Sequence, residues 1–465
     1  MDKQFGKDLT VGSIPRHLLA FSVPMLLGNL LQTGYSIINM IWVGNIVGEN
    51  GVGATAVSFP IIFILIGLAA GATMATSVLV SQAYGAKDYE KVERVVDTSV
   101  TISLILSVVL TIAGILASDW ILKMMETPVE IFPMASGYLK ISLAGFVLMY
   151  LMFLITSILR GIGDTVRPLW FMAIAVSINA VLDPLLIIGI GPFPKLGLNG
   201  AAIASLFAQG IALVLGLIYL NRKNHFIAIN FRKLVLDRRL TGLIFSIGLP
   251  SMVQQTLVSI GSIFVTTFVN FFGASATAAF GAASRIDAVA MMPALAIGMG
   301  ATSLTGQNLG AGKPERVKEV FKWGIIMAAL ITGVISLLAV SIPRLLLSMF
   351  LQDPVALQIG VNYLRIVGAG YIFFGLMFIA IGVVNGAGQT IVTMIFSLLS
   401  LWLVRVPLAA YLSRTSLGIT GIWIALLISF AVVTGISFLY YFSGRWKKAA
   451  AKIQGPMPAP QEILE

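Results

Sequence analysis

Asp183 stands inside a long apolar run, and few other acids in the sequence do. A charge at the centre of a bilayer-spanning helix costs about 2.5–3.5 kcal/mol on insertion scales and is usually retained for function. Asn179 precedes it by four residues and shares its helical face. Pro184 cannot donate to the carbonyl of Ala180, which leaves a backbone acceptor nearby. A carboxylate, an amide and a free carbonyl are hard oxygen ligands that suit a proton or Na⁺. Earlier in the chain, Gln32, Tyr35, Ser36 and Asn39 recur every three to four residues and form one polar stripe on a helix. Asp183 lies roughly 24 Å along its own helix, in the outer half of a bilayer. Asn39 falls at a similar depth.

The second half of the chain carries a comparable stripe: Gln255, Ser259, Ser262 and Thr266. Arg285 and Asp287 are two residues apart, so they point to different faces of one helix and do not pair with each other. Arg405, in the middle of a later helix, is a candidate partner for Asp287. Lys140 and Arg365 fall near helix ends, from which long side chains snorkel to water. Met291, Met292 and Met299 lie on the Asp287 helix, and adaptable thioethers of this kind can line a pocket. The segment Arg160-Gly-Ile-Gly-Asp-Thr165 lacks the Lys-Ser/Thr ending of a phosphate loop. It reads as a tight turn, with Asp164 or Thr165 capping the next helix. With no nucleotide motif in the chain, the drive for any transport must come from an ion gradient.

The elements that position these residues follow from composition. The chain is 58% hydrophobic and only 11% charged, with a mean hydropathy of +0.97. A soluble protein carries roughly 25% charged residues. Continuous apolar stretches of about 20 residues or more imply spanning helices, not the alternating strands of a barrel. Cysteine is absent, which excludes disulfides, thiolate metal sites and a Cys nucleophile. The two histidines, His17 and His225, fall near helix ends, so a His-built metal centre is not expected. No cofactor is expected.

Twelve helices are predicted, near 16–43, 54–83, 92–117, 133–159, 167–189, 198–220, 240–270, 277–309, 317–342, 357–383, 391–412 and 419–442. The side that holds the N-terminus then carries 22 Lys and Arg residues; the opposite side carries four, Lys123, Lys195, Arg344 and Arg414. The positive-inside rule places both termini in the cytoplasm of a multi-pass inner-membrane protein. The net charge of +11 is therefore a topology signal and not a nucleic-acid surface. The sequence also repeats. A shift of 225 residues carries Ser81–Lys87 onto Gly306–Gly312, Arg160–Thr165 onto Asn385–Thr390, and Asn45 and Gly48 onto Asn270 and Gly273. Each half holds six helices, so the pseudo-axis runs along the membrane normal. The expected organisation is an N-lobe over 1–220, a cytoplasmic linker over 221–239, a C-lobe over 240–445 and a cytoplasmic tail over 446–465, disordered after Lys452. The expected fold is an all-α polytopic membrane protein with two pseudo-symmetric six-helix lobes.

Four segments in this order carry a resemblance: Arg160–Pro168, Asn179–Pro184, Gly197–Ser205 and Gly306–Gly312. Over its whole length the chain resembles the multidrug and toxic compound extrusion (MATE) transporters. The resemblance implies alternating access around a central cavity and export of cationic amphiphilic compounds in exchange for H⁺ or Na⁺. It assigns Asn179 and Asp183 to an N-lobe cation site, with Ser205 where the family often has Thr. The chain departs from the pattern at Asn39, where the family commonly has Asp; an amide cannot titrate, which puts the ion and its coupling in question. Substrate-cavity candidates are Gln32, Tyr35, Gln255, Ser259, Asp287 and Met291. The expected partners are small organic cations and membrane lipid, with the chain acting as a monomer.

Two other functions compete. A flippase for lipid-linked oligosaccharides, from a related fold, needs several intramembrane arginines for the pyrophosphate, and this chain has few. A membrane-embedded enzyme needs clustered titratable groups. Asp183 and Asp287 fall in different repeats and no histidine lies within the helices, so no enzymatic activity is expected.

Overall fold

The computed structural model describes residues 6–222, 226–229, 231 and 234–447. All regular structure among them is helical. The first half comprises α1 (Ile14–Trp42), α2 (Glu49–Gly85), α3 (Tyr89–Met124), α4 (Phe132–Ala144), α5 (Phe146–Gly161), α6 (Val166–Ile188) and α7 (Leu198–Asn221). The second comprises α8 (Arg238–Asn270), α9 (Ala274–Gly310), α10 (Pro314–Ser341), α11 (Pro343–Ser348), α12 (Pro354–Ile366), α13 (Tyr371–Gly386), α14 (Thr390–Leu398), α15 (Val406–Leu412) and α16 (Ile419–Phe442). Among the described residues, eleven spans are long and apolar enough to cross a membrane, or twelve when α4 and α5, bent by 43°, count as one. The chain is a multi-pass membrane protein. The tail expected to be disordered lies outside the described residues from 448 onward, as does part of the linker.

Local chemistry fixes where helices begin. Asp88 accepts from the Lys91 amide and starts α3. Asp237 accepts from the Arg239 and Leu240 amides at 2.8 and 2.9 Å and starts α8. Asp164 accepts from Val166 and Arg167, satisfying free amides at the start of α6. The repeat reaches the backbone: Gly48 and Gly273 have φ of 86° and 90°, and Gly163 and Gly388 have 82° and 80°. Each left-handed turn needs glycine, and each pair is separated by the same 225 residues.

The two lobes meet at the end that carries the N-terminus. Gln307 Nε2 in α9 donates to the Gly161 carbonyl at 3.0 Å, and Gln82 Nε2 in α2 donates to the Gly386 carbonyl at 2.9 Å. Donors and acceptors are both related by the repeat, so the latch is reciprocal. The backbones touch at glycines. A Cβ at Gly85 would lie 2.0 Å from the Gln307 carbonyl oxygen, and one at Gly310 would lie 1.9 Å from that of Gln82. The N-terminal segment closes over the seam: Leu9 N donates to Gln307 Oε1, and Lys313 and Arg316 donate to the Thr10 and Gly12 carbonyls. Midway along, a Cβ at Gly71 would strike the backbone of Met252 in α8. The far ends of α1, α2, α8 and α9 leave large apolar side chains exposed, among them Ile37, Phe59, Ile263 and Val289.

Candidate functional site

The polar residues of α1, α6 and α7 form one cluster. Asn39 Nδ2 donates to Asp183 Oδ2 at 2.8 Å. With the Asn179 amide turned so that both its ends are satisfied, its nitrogen donates to Asp183 Oδ1 and Oδ2 at 2.8 and 2.9 Å. Its oxygen then accepts from Ser205 N and Oγ, both at 3.0 Å. Tyr35 Oη and Ser205 Oγ are 2.9 Å apart. Asp183 is 0% exposed and Asn179 4%. Among the described residues no cation pairs with Asp183. The carboxylate is therefore held by two amides and walled by helices, with Tyr138 of α4 within electrostatic reach. Helical spacing explains the convergence: Tyr35 and Asn39 are one turn apart on α1, as are Asn179 and Asp183 on α6.

The remaining predicted residues scatter. Gln32 lies one turn from the cluster and lines a separate cavity in the N-lobe. Gln255 packs over Gly67, at the junction with α2. Ser259 returns its hydroxyl to the Gln255 carbonyl of its own helix. Met291 packs against the C-lobe core.

Asp287 accepts from the hydroxyls of both Tyr363 and Tyr371. Arg405 does not pair with it, contrary to expectation. Its Nε donates to Ser429 at 2.8 Å and its guanidinium lies over the Phe430 ring at 4.9 Å. The tyrosines of α12 and α13 stand where the arginine was expected. Lys140 likewise does not snorkel freely, because it binds Asp119 at 2.6 Å; Arg365 is exposed as expected. Tyr363, Tyr371 and the latch glutamines were not singled out from sequence. The eight-residue spacing of the tyrosines, about two turns of one face, was the available signal.

A buried acid with amide donors, set within one of two repeated helical halves that latch together at the end carrying the N-terminus, is an arrangement suited to a membrane transporter of the two-lobe type. The sequence profile of the MatE family matches residues 24–185 and again 250–411. The chain belongs to the multidrug and toxic compound extrusion (MATE) family. It is 33% identical over 442 residues to the probable multidrug resistance protein YoeA of Bacillus subtilis, covering 94% of this chain and 95% of that protein. It is 27% identical over 435 residues to a protein of Shewanella oneidensis named FAD transporter, covering 93% and 95%. Among solved structures, one described as the outward-facing conformation of a multidrug resistance MATE transporter superposes with a TM-score of 0.89 at 26% identity, covering 97% of this chain and all of the other.

Proposed function

We propose that the protein is a secondary antiporter of the cell membrane that exports amphiphilic organic compounds, organic cations among them, in exchange for H⁺ or Na⁺. The observation that carries this reading is Asp183: a fully buried carboxylate held by amides, with no basic side chain paired to it among the described residues. A buried charge of this kind is costly unless it is neutralised, and a mobile cation can neutralise it. The basic residues gather at the closed end, which the positive-inside rule assigns to the cytoplasm together with both termini. With the latched end inside, the lobes would open toward the outer face, the state for which the outward-facing relative is named.

The cluster offers a route from ion to lobe movement. A proton or Na⁺ on Asp183 competes with the Asn39 donor and loosens α1 from α6. The inner part of α1 packs on α9 of the other lobe, where Ser22 donates to the Ala296 carbonyl. A shift of α1 therefore reaches the seam between lobes. In the same step the cleft loses a negative charge, and a cationic passenger is released outward. Ion release on the cytoplasmic side restores the carboxylate. The names of the relatives, drug resistance in one and FAD transport in another, fit a cleft that handles varied organic compounds.

Efflux of a fluorescent cation from proteoliposomes, with pH and Na⁺ gradients imposed separately, tests the proposal. One gradient drives wild-type transport, and Asp183→Asn falls to the rate of protein-free vesicles while inserting normally. Equal transport with both gradients collapsed overturns the reading.

A further inference from the structure

The N-lobe contains a chamber that the ion site does not use. It holds about 420 Å³ among α1, α5, α6 and α7, on the closed-end side of Asp183. That volume suits a drug-sized ligand. Met25, Met149, Met152, Met172 and Phe153 supply much of its wall, a deformable apolar surface. Its lining carries one full charge, Arg160, and no Asp or Glu.

Arg160 is poorly compensated. It makes no ion pair among the described residues. Its Nη1 reaches the Met299 thioether of the opposite lobe at 3.6 Å, and its Nε is buried without an acceptor. The nearest acid in sequence, Asp164, is engaged elsewhere, by Arg167 at 2.9 Å and by two backbone amides. A half-buried guanidinium in this state lacks the protein oxygen atoms that its planar fork is shaped to bind. Thr156 and Gln209 add neutral polar groups to the same lining.

We propose that this chamber binds an amphiphilic organic anion, with its apolar body among the methionines and a phosphate or carboxylate on Arg160. Asp183 lies eight residues beyond Ala175, the last lining residue of α6, or about 12 Å along the helix, so the two charged sites are distinct. The proposal concerns binding and stands whether or not Asp183 couples transport to an ion.

The test is equilibrium binding to the full chain in nanodiscs of neutral phosphatidylcholine. The probes are 2-naphthyl phosphate, a naphthyl trimethylammonium of similar size, and lysophosphatidate. The phosphate should bind about tenfold or more tighter than the ammonium, the scale of one hydrogen-bonded charge contact. Arg160→Gln should remove that preference and Arg160→Lys should retain part of it. Gly28→Leu, which fills the chamber without touching the charge, should weaken the phosphate. Tighter binding of lysophosphatidate than of naphthyl phosphate would assign the anion to a membrane lipid, and the reverse to a soluble compound; both support the site. Preference for the ammonium, or an unchanged phosphate preference in correctly inserted Arg160→Gln protein, overturns it.

Discussion

The two lobes share a backbone and differ in their acids. In the N-lobe, Asp183 on α6 is held by amides from α1 and α6. In the C-lobe, Asp287 on α9 is held by the hydroxyls of Tyr363 and Tyr371. The shift of 225 places Leu408 at the position of Asp183 and Phe264 at that of Asn39, while Asp287 maps back onto Ile62. Neither acid has a counterpart. One of their neighbours does: Tyr138, near Asp183, falls on Tyr363. The seam shows the opposite behaviour. Gln82 and Gln307, Gly161 and Gly386, and Gly85 and Gly310 are all conserved between the halves and act as reciprocal pairs. Closure needs two matching surfaces, whereas a buried acid needs polar partners in only one lobe. The two halves thus share the contacts of the seam and differ in their buried acids.

The largest effect that bears on this contrast is expected at the seam. Gly85→Ala and Gly310→Ala each force a methyl against a carbonyl, an overpacking that costs about 1–3 kcal/mol. Each should shift the lobes away from the closed arrangement, by about tenfold in population, and to a similar degree. Cysteine is absent from the chain, so thiol labels placed on the two sides of the seam report this directly. Strongly unequal shifts would break the symmetry of the latch. A smaller effect is expected from Asp287→Asn, which keeps the shape and weakens two hydrogen bonds to a charge. Efflux should drop by at most about tenfold, with its dependence on the driving ion intact. Loss of ion dependence equal to that of Asp183→Asn would show that both lobes couple. The smallest change is expected from Asn39→Asp. It places a second carboxylate against the first and should alter the response to pH or Na⁺, with the maximal rate within about twofold. An unchanged ion response would make α1 a bystander.

The sequence displayed most of this architecture because its signals were local or periodic. Helix spans were legible from apolar length, and the lobes from a single repeat distance. The grouping of Tyr35, Asn39, Asn179 and Asp183 follows from one-turn spacings on two helices at matched depth. Contacts between helices distant in sequence were less legible. Arg405 turns its Nε to Ser429, and the tyrosines of α12 and α13 take the Asp287 carboxylate instead. Lys140 was read as an isolated terminal charge, because its partner Asp119 lies on the preceding helix, α3. The latch was hidden for a different reason. Its acceptors are main-chain carbonyls, which carry no residue signature.

That last feature bears on how such a protein can diversify. Where the lobes shut, peptide carbonyls and glycines meet two glutamine side chains, and Lys313 and Arg316 fasten the N-terminal segment across them. Residues away from this seam can therefore change without altering the contacts that hold it shut.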